Sequence, residues 1–191
     1  MKRLVLSILA IALAFSAAAR TSEEILAQIR AAQNGGKTIE FTPIVEVRTN
    51  YVGHPGSETL TGKLKFVSKD DFLVMNYDNK EDFVIQGKQM VIKKNGQQPQ
   101  VFDLSKNMMM KGLSRTLLCS FRGTLEDLAK EQKSSITAVE DGKNYKVTLT
   151  ATKKQPRGLA KVEVVYKQKG GDLVSIYFEE FTGAKTSYNW E

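Results

Sequence analysis

The chain has 191 residues, 41% of them hydrophobic, and carries a formal net charge of +7. That length suits one domain with a substantial core. A single histidine and a single cysteine exclude a histidine-built metal cluster and any intrachain disulfide.

Lys2 and Arg3 precede an apolar run from Leu4 to Phe15, followed by Ser16-Ala17-Ala18-Ala19. This is the layout of a secretory signal peptide, and the run is too short to span a bilayer. Residues 1–19 are therefore expected to be cleaved, with the mature chain starting near Arg20 or Thr21. No cysteine near that site offers an acceptor for lipidation, so an exported, soluble periplasmic product is expected, with 20–191 as a single domain. Without its first two cations the chain keeps 26 basic against 21 acidic residues, a net +5. In an exported protein that surplus favours an anionic membrane surface or an acidic partner. Nucleic acid is not expected, because the aromatics alternate with apolar residues as core positions do.

Thr21 and Glu24 make a capping box ahead of Ile25, Leu26 and Ile29 at helical spacing, and Asn34-Gly35-Gly36 stops the helix. The period then changes from 3.6 to 2. Ile39, Phe41, Val45, Val47 and Tyr51 share one face of a long strand interrupted by Pro43. Leu60, Gly62, Leu64 and Phe66 alternate with Thr61, Lys63 and Lys65. His54 falls in a turn between these two strands. Short strands follow at 71–77, 82–86, 88–94 and 99–104, the last two joined by Asn95-Gly96. After an interruption at 105–133, strands resume at 135–140, 143–151, 159–167, 173–181 and 185–190. The reading is about eleven antiparallel strands in a meander. Their apolar face needs a cover, and the N-terminal helix and segment 105–133 are the candidates. Those helices either plug a closed barrel or pack on a sandwich, or lid an open concavity.

Segment 105–133 opens with Met108-Met109-Met110. At 100° per residue, Met109, Met110, Leu113, Leu117 and Phe121 fall on a stripe about 120° wide, with Lys111, Arg115 and Arg122 opposite. Methionine repacks around varied apolar partners, and Gly112 weakens the helix near its start, which suits a movable lid. Leu117→Glu is accordingly expected to harm binding more than stability. Thr124 to Gln132 reads as a second helix with a T-x-x-D cap, presenting Leu125 and Leu128. Cys119 lies off the stripe and is expected to be a dispensable, partly buried thiol.

The sequence is similar to the LolA-like periplasmic lipoprotein carriers. "EFT" at Glu40-Phe41-Thr42 resembles their first-strand F-T-Q. "GKLKFVSKDDF", Gly62 to Phe72, resembles G-x-L-x-x-x-R-P-x-x-F. "VIQGKQMVI", Val84 to Ile92, resembles V-x-D-G-K-x-L-W, and "SYNW", Ser187 to Trp190, a late strand. The resemblance implies a mainly β fold, an unclosed half-barrel covered by an N-terminal helix and a central helical pair. It implies a carrier that holds the acyl chains of lipoproteins or lipids in an apolar concave cavity. It implies as partners an inner-membrane lipoprotein-releasing complex and an outer-membrane receptor. A regulatory module of the same fold, binding lipid or a protein partner, is the alternative.

Candidate cavity and lid residues are Phe41, Val45, Leu64, Phe66, Met109, Met110, Leu113, Leu117 and Phe121. Where the carriers have Arg-Pro, this chain has Ser68-Lys69-Asp70, so Lys69 is the nearest match to the arginine that closes their lid. The carriers' closing F-x-F-x-x-P-x-G segment does not follow Trp190. No G-x-S-x-G elbow, phosphate loop or H-E-x-x-H occurs, so neither enzyme activity nor a cofactor or metal is expected, and a monomer is.

Overall fold

The computed structural model describes residues 20–51 and 54–190. The expected signal peptide, residues 1–19, lies outside them. Helix α1 (Ser22–Gln33) begins as its capping box requires: Thr21 Oγ1 accepts from the Glu24 amide and the Glu24 carboxylate accepts from the Thr21 amide. Asn34 ends it in the left-handed conformation. Eleven strands follow: β1 (Ile39–Tyr51), β2 (His54–Val67), β3 (Phe72–Tyr77), β4 (Asp82–Gln86), β5 (Gln89–Lys93), β6 (Gln100–Asp103), β7 (Ser134–Asp141), β8 (Asn144–Ala151), β9 (Leu159–Lys167), β10 (Leu173–Glu180) and β11 (Lys185–Trp190). Helices α2 (Met108–Arg122) and α3 (Leu125–Gln132) separate β6 from β7. His54, expected in a turn, is the first residue of β2.

The strands form one antiparallel sheet in the order β6-β5-β4-β3-β2-β1-β11-β10-β9-β8-β7. It is two meanders rather than one, joined by pairing of β1 with β11. The outermost strands β6 and β7 are not paired with each other. The helical pair runs between them instead, so the sheet is an open half-barrel with its concave face available to the helices. At Gly62 the β2 and β3 backbones come so close that a Cβ would lie 2.2 Å from the Asn76 carbonyl oxygen, which leaves room only for glycine.

The phase of β1 differs from the simple alternation. Ile39 pairs with Phe66 but Thr42 pairs with Leu64, so Glu40 and Phe41 together oppose Lys65. Two residues against one is a β-bulge, and the extra residue reverses every later side chain. Ile44, Glu46 and Arg48 face the concave side, where Ile44 and Glu46 are buried; Phe41, Val45 and Val47 do not. Phe41 is half-exposed on the outer face, with the Lys65 ammonium 5.5 Å from its ring centre and 2.9 Å from Glu40.

Helix α2 is likewise buried more widely than its stripe. Ser114, Thr116, Leu117, Leu118, Cys119, Ser120 and Phe121 are all buried. Two hydroxyls permit this: Thr116 donates to the Gly112 carbonyl and Ser120 to the Thr116 carbonyl, each at 2.8 Å, so neither is desolvated unpaired. Phe121 stacks on Phe66 with ring centres 4.9 Å apart and meets Trp190 edge-on at 5.4 Å. Cys119 is therefore a fully buried core residue, not a partly buried one. Helix α3 buries Leu125, Leu128 and Ala129, but Thr124 makes no side-chain cap, because its backbone leaves the extended conformation that capping needs.

The bulge yields a direct comparison. Phe41→Ser should change stability by less than about 1 kcal/mol, since the ring leaves the outer surface only. Phe66→Ala should cost about 3–5 kcal/mol through the cavity it opens under Phe121. Denaturant unfolding of the two variants measures both; equal losses would place Phe41 in the core.

Candidate functional site

The concave face is divided by α2. Its C-terminal half lies over Phe66 and Tyr166, which share one buried core with Leu64 and with Ile25 and Ile29 of α1. The Tyr166 phenol donates to the Ser120 carbonyl at 2.6 Å, tying the helix to the sheet. Under the N-terminal half of α2 the face stays open as a cavity of about 1270 Å³. This exceeds the roughly 300–1,000 Å³ usual for small-molecule pockets. Its apolar lining includes Phe83, Ile92, Met108, Met109, Met110, Leu113 and Phe178.

The structure therefore splits the nine candidate residues into three groups. Met109, Met110 and Leu113 line the cavity. Leu64, Phe66, Leu117 and Phe121 are buried in the packed half. Phe41 and Val45 are carried off the concave face by the bulge. Leu117 is hence a core position, and Leu113, one turn earlier, is at the cavity.

The buried end of the cavity holds charges that the strand pattern did not single out. Arg48 donates from Nε to Glu46 Oε1 at 2.6 Å and from Nη2 to Glu81 Oε1 at 3.2 Å. The Tyr77 hydroxyl donates to Glu46 Oε2, and the Arg48 guanidinium lies 5.8 Å from the Tyr77 ring centre. Glu46 is 2% exposed. Burial works against the Arg48 charge, but hydrogen bonding to Glu46 and the charges of Glu46 and Glu81 outweigh it and hold its pKa above the ordinary value. Burial, then the neighbouring Tyr188 and Glu46, push the Tyr77 phenol far above its usual range. Tyr188 is raised in the same way, chiefly by burial and then by Glu46. Both phenols stay protonated donors. The sequence did carry a signal for the cluster: opposite charges at Glu46 and Arg48, two apart in an apolar strand, share one face.

An arginine that the strand pattern did not single out ties the C-terminal end of α2 to the sheet. Arg122, the last residue of α2, donates from Nη2 to the Ser68 carbonyl and from Nε to Ser68 Oγ at 3.3 Å. Asp71 Oδ1 lies 2.5 Å from Nη2 but off the N–H direction, so it adds charge pairing without a hydrogen bond. The Ser68 hydroxyl in turn donates to the Gly35 carbonyl beyond α1. Lys69 is exposed and takes no part among the described residues. Compared with the arrangement the resemblance implied, donor and acceptor have changed sides: the arginine is on the helix and the acceptors on the strand turn. A second clamp joins the helices, where Arg115 grips both oxygens of Glu131 at 3.0 and 2.6 Å and holds that carboxyl below its usual pKa.

Nucleophilic chemistry finds little support here. Burial raises the Cys119 pKa, only partly opposed by Thr124 and Arg115, which keeps the thiol protonated and enclosed. Among the described residues no three His, Cys, Asp or Glu side chains are grouped to hold a metal.

No protein-family model and no curated protein matches the chain. Among solved structures it is similar to a LolA superfamily protein from Nitrosomonas europaea, at 11% identity over 91% of this chain and 92% of that one, with a TM-score of 0.38. It is similar to a Vibrio parahaemolyticus domain described as outer-membrane lipoprotein-sorting, at 15% identity over 89% and 91%, with a TM-score of 0.42. It is also similar to the lipoprotein LppX of Mycobacterium tuberculosis, at 15% identity over 90% and 95%, with a TM-score of 0.35.

Two predictions follow from the charges. Arg48→Met should cost about 3–5 kcal/mol, because Glu46 and Glu81 are left buried without their cation. Adding Glu46→Gln and Glu81→Gln should recover most of that loss; denaturant unfolding at neutral pH decides, and no recovery would mean the loss is packing. Arg122→Ala should cost about 1–3 kcal/mol and speed amide exchange along α2, while Lys69→Ala stays within about 0.5 kcal/mol. Exchange in α2 that responds to Lys69 instead would restore the lysine as latch.

Proposed function

We propose that the chain is a periplasmic carrier that takes the acyl chains of lipoproteins into the open half of its concave face and shuttles them from inner to outer membrane. The observation that supports this is the 1270 Å³ cavity, roofed on one side by the methionine-tipped half of α2. Each buried methylene contributes about 0.8 kcal/mol, so a ~16-carbon chain gains roughly 12 kcal/mol in a dry cavity. Release then needs a wall that can close on itself when the cargo leaves. Met109, Met110 and Leu113 supply adaptable side chains, and Gly112, with no atom near the position a Cβ would take, leaves that half of the helix only weakly favoured. The Arg48 cluster is already saturated by Glu46 and Glu81. It asks nothing of an acyl chain and sets the polar end against which the chain stops. An inner-membrane releasing complex and an outer-membrane receptor are the partners such a route requires.

Native mass spectrometry of the protein purified from its own envelope should find acylated species bound. A protein that is empty and also fails to bind an acyl probe would overturn the reading. A paired substitution locates the site. Leu113→Glu, in the half-buried roof, should weaken acyl-probe binding at least tenfold at a stability cost near 1 kcal/mol. Leu117→Glu, in the packed half, should cost more than about 4 kcal/mol and unfold the domain. Probe binding unaffected by Leu113→Glu would place the acyl chain elsewhere.

A further inference from the structure

The cavity is oppositely charged at its two ends. Its buried end holds two carboxylates, Glu46 and Glu81, against one guanidinium. Its rim carries Lys94, Lys106, Lys111, Lys133 and Arg157, against the carboxylates Glu180 and Glu131, the latter held by Arg115, so cations are in excess there. Among the described residues only Lys106 of these has an acidic partner within salt-bridge distance, Asp103 at 3.8 Å. Between Lys106 and Lys111 stand Met108, 87% exposed, and Met109, 44% exposed. The N-terminus of α2 lies there too, with no acidic residue in its first turn, so the positive end of the helix dipole adds to the same field.

Exposed thioethers among an excess of cations are the mark of an interfacial surface, where charges draw a segment to anionic headgroups and apolar tips enter the acyl boundary. Four of the five cations are lysines. A lysine is a flexible point charge that needs no fixed partner geometry, whereas a placed carboxylate on a protein is better met by the arginine fork. The mouth thus fits a fluid sheet of phosphates better than a patterned acidic protein. We propose that the cavity mouth docks on an anionic phospholipid surface, with Met108 and Met109 inserted and the rim lysines among the headgroups. The docking rests on the carrier reading only for its purpose: it brings the opening against the bilayer, so that an acyl chain passes between them without crossing water.

Flotation with vesicles tests this. The protein should bind vesicles containing phosphatidylglycerol but not phosphatidylcholine alone, and binding should fall as salt is raised, since the Debye length shrinks from about 10 Å at 0.1 M to about 3 Å at 1 M. Each cation near the surface is worth about fivefold in partitioning, so Lys106→Glu with Lys111→Glu should weaken binding at least tenfold. Met108→Asp should weaken it comparably. Lys143→Glu with Lys167→Glu, exposed positions outside the cavity lining, should leave it within about twofold. Equal binding to both vesicle types, no binding to either, or equal loss in the mouth and control variants would overturn the docking. An acyl probe titrated without vesicles separates the two readings: probe binding without vesicle binding sinks the docking alone, and vesicle binding without probe binding sinks the carrier alone.

Discussion

The contact on which the rest of the molecule depends is the seat of α2 in the open sheet, where Phe121 stacks on Phe66 and meets Trp190. An eleven-stranded sheet that does not close has one large apolar face to keep from water, and too little helix to cover it all. Phe121 brings the C-terminal half of α2 down onto β2 and β11 and, with Ile25 and Ile29 of α1, fills half of that face. Everything left under the other half is cavity. The same helix is thus core at one end and roof at the other, and its composition follows: Leu117, Leu118, Cys119 and Phe121 where it is enclosed, three methionines and a glycine where it is not.

The Glu46–Arg48–Glu81 cluster looks out of place in an apolar concavity. Desolvating three charges is costly, and hydrophobic residues of like volume would often be as stable. Its geometry nevertheless accounts for each charge: the guanidinium serves both carboxylates, and Tyr77 closes on Glu46. Because β1 contributes Glu46 and Arg48, β3 contributes Tyr77 and the turn before β4 contributes Glu81, the cluster also pins the register of the first meander at the open end of the sheet. Packing performs that task at the closed end, and directional polar contacts perform it where packing is absent.

The tie between α2 and the turn after β2 is equally directional. Arg122 reaches a carbonyl, a hydroxyl and a carboxylate on the turn between β2 and β3, and the Ser68 hydroxyl extends the link to the end of α1. Three elements distant in sequence meet at one guanidinium, beside Gly36, where a Cβ would crowd Ser68 and Arg122. The methionine end of α2 has no such anchor to the sheet among the described residues; its nearest ties, Arg115 to Glu131 and Gln132 to the Gly112 carbonyl, run to α3. Its motion can therefore be local, with the latch and the Phe121 seat left in place.

What the sequence determined by itself is what neighbours within a few residues decide. The capping box at Thr21, the period-2 strands, the Asn95-Gly96 turn and the interruption carrying α2 and α3 all stand where the pattern put them, and strands 82–86, 159–167 and 185–190 match to the residue. Cap hydrogen bonds, turn dihedrals and alternation are local physics, so a sequence displays them. Tertiary structure decided the rest. Whether Phe41 or Ile44 faces inward depends on a bulge that only pairing with β2 creates. Whether two meanders make one sheet depends on β1 meeting β11, some 140 residues away. Which cation ties α2 to the sheet, and which charges share a buried site, depend on what those pairings bring together. Burial is a competition among all surfaces of the chain, and its outcome exists only once the whole chain has folded.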